Sequence, residues 1–90
     1  MLEIFYTSQF KKDYKKAKKQ RRDLDQLKKV IVMLQNQQIL PEKYRDHKLT
    51  GDYVGFKECH ISPDWLLVYR IDNDRLILTL ARLGSHSELF

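Results

Sequence analysis

Five side chains in the second half of this sequence could move protons or hold an anion: His47, His60, Asp64, Arg82 and His86. An imidazole has an ordinary pKa of roughly 6.5, so it can give or take a proton near neutral pH. A carboxylate can act as a base or orient a neighbouring imidazole. The arginine fork suits the charge that builds on a phosphate in a transition state. Each residue also has a plainer use. A lone histidine is most often a surface group, Asp64 after Pro63 has the chemistry of a turn, and Arg82 could form a simple surface pair. His47 reads as a loop residue, His60 as a strand end and His86 as part of the loop after the last strand. Such positions on a rigid sheet are where binding and catalytic groups collect. Convergence of all five is therefore the expectation. Trp65 is either core or a platform for an unpaired base, a contact worth roughly 1–3 kcal/mol. Phe90 is either a packed tail or a second platform.

Other chemistries lack their signatures. The sequence has no glycine-rich phosphate loop, no Cys-x-x-Cys, no His-Glu-x-x-His and no nucleophile elbow. The carboxylate cluster that hard cations prefer is missing, so no metal site and no cofactor are expected. Cys59 is the only cysteine and cannot form an internal disulfide, which is compatible with a reducing cytoplasm, the expected compartment. No apolar run approaches the length of a membrane span, and the N-terminus has no signal-peptide pattern. Ninety residues suffice for one modest core, and a single domain over 1–90 is expected.

The elements that must position these groups follow from periodicity. Trp65-Leu66-Leu67-Val68-Tyr69 is an apolar run too short for a helix, which predicts a central strand to about Ile71 covered on both faces. Tyr53 to Ile61 alternates, with Val54, Phe56, Glu58 and His60 on one side, and Ser62-Pro63-Asp64 is the turn between these strands. Asp72-Asn73-Asp74 predicts a hairpin turn before a last strand from Arg75 to Arg82. Leu83 to His86 reads as a loop and Ser87 to Phe90 as a tail. At the other end, Leu2 to Tyr6 is a short strand. Thr7 or Ser8 can cap a helix ending near Gln20, with Phe10, Tyr14 and Ala17 as its apolar stripe. Asp23 and Gln26 resemble a capping box that opens a second helix to about Gln37. The order is β-α-α-β-β-β, an α+β domain whose antiparallel sheet carries a helical hairpin on one face.

The net charge of +5 is unevenly placed. Lys11, Lys12, Lys15, Lys16, Lys18, Lys19, Arg21 and Arg22 give the first helix and its end +7 against the single acid Asp13. The rest of the chain is slightly acidic. A block of that kind attracts polyanions such as nucleic acid, although solvated basic faces without a partner are common.

Three spaced blocks carry a resemblance: Asp46-His47-Lys48-Leu49-Thr50-Gly51, Glu58-Cys59-His60-Ile61-Ser62-Pro63-Asp64-Trp65-Leu66-Leu67-Val68-Tyr69, and Arg82-Leu83-Gly84-Ser85-His86-Ser87-Glu88-Leu89-Phe90. Together they resemble the YafQ branch of the RelE-type bacterial toxins, over nearly the whole chain. The resemblance implies a toxin of a type II toxin–antitoxin pair, a ribosome-dependent endoribonuclease that cuts translated mRNA in the ribosomal A site. It implies attack by the substrate's own 2′-hydroxyl without a metal, leaving a 2′,3′-cyclic phosphate and a 5′-hydroxyl. His47, His60, Asp64 and His86 would then be the acid–base groups and Arg82 the phosphate-neutralising one. Trp65 and Phe90 would hold mRNA, the basic block would clamp 16S ribosomal RNA, and a cognate antitoxin would be the protein partner. The competing readings are a non-catalytic basic RNA-binding or regulatory module of the same fold and, more weakly, a metal-dependent nuclease.

Overall fold

The structure is a computed structural model that describes residues 1–90. Its centre is the strand β4, Trp65–Asp72, in which Trp65 through Tyr69 are each no more than 1% exposed. Burial on both faces demands a neighbour on each edge and a layer on each side. The edges are β3 (Lys57–Ser62) and β5 (Ile77–Gly84), both antiparallel to β4 as the turn residues predict. Outside them lie β2 (His47–Lys48) and β1 (Glu3–Tyr6), giving the order β1-β5-β4-β3-β2.

The sheet is mixed and not wholly antiparallel, because β1 runs parallel to β5, with Glu3 opposite Ile77 and Tyr6 opposite Leu80. Hairpin turns force antiparallel neighbours, whereas a strand returning to the sheet after a long connection is free to lie parallel. Local sequence therefore left the direction of β1 undetermined.

The helical hairpin covers one face. Thr7 caps α1 (Ser8–Lys19) by accepting from the Phe10 N–H at 3.0 Å, and its hydroxyl also donates to the Leu80 and Ala81 carbonyls. Phe10 and Ala17 face the core, while Tyr14 stays partly exposed. Asp23 caps α2 (Leu24–Gln35), which ends two residues earlier than periodicity suggests. Only half of the expected capping box forms, because the Gln26 side chain donates to the Tyr44 hydroxyl instead. Leu27, Val30 and Leu34 of α2 pack with Leu2, Trp65, Leu67, Tyr69, Leu78 and Leu80. Full burial of each such side chain stabilises the fold by about 1.5–3 kcal/mol.

The other face carries a smaller cluster, Leu66, Val68 and Leu89, with Leu49, Tyr53, Phe56 and Ala81 packed against it. Here the outline read from sequence needs four corrections. Tyr53 lies in a 3₁₀ turn (Gly51–Tyr53), and Gly55 takes φ +92°, so β3 starts at Lys57. Asp72 accepts from the Asp74 and Arg75 N–H groups and Leu76 sits at φ +56°, so the turn persists and β5 starts at Ile77. At its far end β5 continues through Leu83 and Gly84, since β4 pairs with both. His86–Leu89 then form one helical turn, α3, where a tail is the sequence expectation. Ser85 caps it with a reciprocal capping box to Glu88.

Candidate functional site

Strand pairing builds the site as rows across the sheet. His47 pairs with Glu58, Glu58 with Val68 and Val68 with Arg82, so one row crosses β2, β3, β4 and β5. The next row is His60, Leu66 and Gly84. Neighbouring strands lie about 4.8 Å apart, which sets the Glu58 and Arg82 backbones on the order of 10 Å from each other. The row is on the face away from the helical hairpin. Alternation after Leu80 would turn Arg82 towards the helices. Instead the pairing skips Ala81, between Tyr69–Leu80 and Val68–Arg82, and this bulge puts Ala81 and Arg82 on the same face.

On the β2–β3 side, Glu58 is only 5% exposed and its carboxylate lies between two imidazoles. Its Oε1 is 3.5 Å from His47 Nε2 and 3.4 Å from His60 Nε2, and the two rings are 6.4 Å apart. His47 Nδ1 lies 2.7 Å from the Arg45 carbonyl oxygen. A carbonyl can only accept, so Nδ1 carries a proton and Nε2 is left for exchange with Glu58 or a substrate. The strand bearing His47 is pinned by Asp46, which accepts from the Tyr69 hydroxyl and pairs with Lys57 Nζ at 2.8 Å. Burial and that hydrogen bond push the Tyr69 hydroxyl well above its ordinary pKa. Burial likewise raises the Cys59 thiol, which is fully buried and so offers no thiolate.

On the β5 side, Arg82 Nε donates to Asp13 Oδ2 at 2.8 Å and the Leu83 N–H donates to the same oxygen at 3.0 Å. Donating to the Asp13 carboxylate raises the guanidinium pKa further, and 24% of the side chain remains exposed. Nη2 also donates to Asp13 Oδ1 at 3.5 Å, so only the exposed remainder of the fork is left for a ligand. The exposed His86 opens α3, and its backbone N–H donates to Asp64 Oδ1 at 3.2 Å. Asp64 thus anchors the segment bearing His86 and does not touch an imidazole nitrogen. The helix rests on Gly84, where a Cβ would lie 3.2 Å from both Glu88 Oε1 and Leu89 Cδ2. His86 packs on Phe90 with centroids 5.4 Å apart, and Phe90 meets Tyr53 edge-on at 5.5 Å. Phe90 is 51% exposed, an open aromatic ledge beside an imidazole.

Trp65 is different. At 1% exposure, with the Arg22 guanidinium 5.7 Å over its ring, it belongs to the helix-side core and has no face to offer a base. Alternation along β4 decides this, because Trp65, Leu67 and Tyr69 share one side. In the basic block, Lys11, Lys12, Lys15, Lys18, Lys19 and Arg21 are exposed. Arg22 is half-buried, and Lys16 is tied to Glu88 at 2.5 Å. Glu58 and Asp13 are participants that the sequence alone does not mark as site residues. The β3 alternation did put Glu58 beside His60, and that was the available signal for it. Nothing local marks Asp13.

All three imidazoles and Arg82 therefore line one side of the sheet. A family described as "Bacterial toxin of type II toxin-antitoxin system, YafQ" matches residues 2–90. The mRNA interferase toxin YafQ of Escherichia coli K12 is 39% identical over 89 residues, covering 98% of this chain and 95% of that protein. A metal-bound toxin from Helicobacter pylori is 49% identical, superimposes with a TM-score of 0.94 and covers both chains fully. YafQ in the E. coli DinJ–YafQ complex is 36% identical, with a TM-score of 0.90 and coverage of 100% of this chain and 99% of that one. The chain belongs to the YafQ family of bacterial toxins of type II toxin–antitoxin systems.

Proposed function

We propose that this toxin is an endoribonuclease that cuts translated mRNA in the ribosomal A site, through attack of the 2′-hydroxyl on the adjacent phosphate and without a metal. The observation that carries the reading is the buried Glu58 carboxylate between His47 and His60, in the same sheet row as the charged Arg82. The relative named as an mRNA interferase supports the substrate class.

The reaction needs a base for the 2′-hydroxyl, an acid for the departing 5′-oxygen, and positive charge beside the non-bridging oxygens. One positioned acid or base contributes about 10²–10⁴-fold. The His47–Glu58–His60 group and His86 approach the row from two sides, which suits two proton transfers on opposite sides of one phosphorus. Arg82 supplies the charge, Phe90 a stacking surface, and Asp64 holds the segment bearing His86. The exposed lysines of α1 would clamp ribosomal RNA. A cognate antitoxin would neutralise the toxin, as the DinJ–YafQ complex suggests. That assignment places its work in the cytoplasm. No helix is long and apolar enough to cross a membrane.

The test is to map RNA ends from programmed ribosomes incubated with the protein, with and without EDTA. New 5′-hydroxyl and 2′,3′-cyclic phosphate ends that persist in EDTA are expected. RNA bound but uncut would favour the non-catalytic module, and activity abolished by EDTA would favour a metal-dependent nuclease.

A further inference from the structure

Beside His60 the surface opens into a cavity of about 450 Å³, set between α2, the 3₁₀ turn Glu42–Tyr44 and the end of β3. Its lining includes Lys43, Arg45, Gln26 and His60 beside the buried Tyr44 and Ile61. The size is in the range of pockets that hold small ligands. Neither Lys43 nor Arg45 forms an ion pair, although both are exposed cations within three residues of each other. Arg45 is also held in the left-handed region at φ +47°, a conformation that disfavours residues other than glycine. Two bonds hold it there: its N–H donates to the Glu42 carbonyl, and its own carbonyl accepts from His47 Nδ1. One residue thus fixes the His47 ring through its backbone and presents a guanidinium to a cavity next to His60.

We infer that Arg45 and Lys43 form a subsite for the phosphate of the nucleotide next to the scissile bond, entered past His60. The inference rests on the ribonuclease reading above. Two exposed cations without carboxylate partners, with Lys43 standing over the Tyr44 ring, suit a phosphate, and an arginine fork can grip two phosphate oxygens at once. Arg45 is then a positioning residue for both substrate and His47.

The probe is a single-stranded RNA oligonucleotide carrying 2′-O-methyl riboses, which binds but cannot be cut. The K43A/R45A double variant should bind it about tenfold more weakly, and the slope of log affinity against log salt should fall by roughly 1–2, one for each lost phosphate contact. Arg45→Lys in an otherwise native chain should recover part of the affinity. On programmed ribosomes the double variant should raise KM more than it lowers kcat, with cyclic phosphate ends unchanged. Unaltered affinity and slope in the double variant, while native protein still cuts RNA, would overturn the subsite alone. A native protein that never cuts RNA overturns the reading beneath it.

Discussion

A carboxylate buried among side chains is costly unless cations or donors face it, and Glu58 faces two imidazoles from a single oxygen. The arrangement puts one carboxylate oxygen within reach of both rings. Glu58→Gln keeps the volume and removes the charge, so cleavage should fall by about 10-fold or more while the melting temperature holds or rises. Full activity in that variant would remove Glu58 from the reaction. At Arg82 the demand is charge together with fork geometry. Arg82→Ala should lower kcat by about 10²–10³-fold, as loss of one transition-state donor does, and Arg82→Lys should restore little of it. His86→Ala should cost at least as much as removing a general acid or base, about 10²-fold, without loss of fold, because its side chain is exposed. Trp65→Ala should unfold or strongly destabilise the protein, since the ring is core.

At the scale of elements, α3 is the part most sensitive to conditions. It is a single turn held by its capping box, by Leu89 on the second cluster and by the Lys16–Glu88 pair. Lys16 and the Ser85 N–H lower the Glu88 carboxyl to about 2. An unfolded glutamate titrates at about 4.3. The stabilisation is therefore complete above that value and is lost as pH falls from about 4.3 through 2. His86 and Phe90 resonances should shift in that window, and Glu88→Gln should abolish the pH dependence of the shift. Gly84→Ala tests the same contact from beneath: a Cβ 3.2 Å from Leu89 should lift α3, lower stability by about 1 kcal/mol or more in a thermal melt, and reduce cleavage.

For the molecule as a whole, the helical hairpin and the site occupy opposite faces of the sheet, yet α1 reaches both. Asp13 binds Arg82 and Lys16 binds Glu88, so one side of α1 borders the site at the β5 edge, while Lys11, Lys15 and Lys18 line a groove against α2. A clamp on ribosomal RNA and a cut in mRNA can then be set by one rigid helix. Neutralising Lys11, Lys12, Lys15, Lys18 and Lys19 to Gln should weaken ribosome binding and flatten its salt dependence while leaving the melting temperature nearly unchanged. An unaltered salt slope would detach this helix from the ribosome.

What was legible in the sequence was local. The apolar run at 65–69, the caps at Thr7 and Asp23, the turn at Ser62-Pro63-Asp64 and the period-2 pattern that puts Glu58 with His60 all depend on neighbours a few residues apart. They sufficed for β1, the helical hairpin and the three-strand meander, and for naming the histidines and Arg82, but not for the strand β2 at His47, read as a loop, or for α3. Pairing over long separations decided the rest. β1 joins β5 in parallel across some seventy residues, the skipped Ala81 turns Arg82 onto the histidine face, and Asp13 pairs with it from another element. Trp65 points to the core because the hairpin lies on its side of β4. Side-chain direction in a sheet follows register, and register is set by the whole set of partners, which no short stretch of sequence contains.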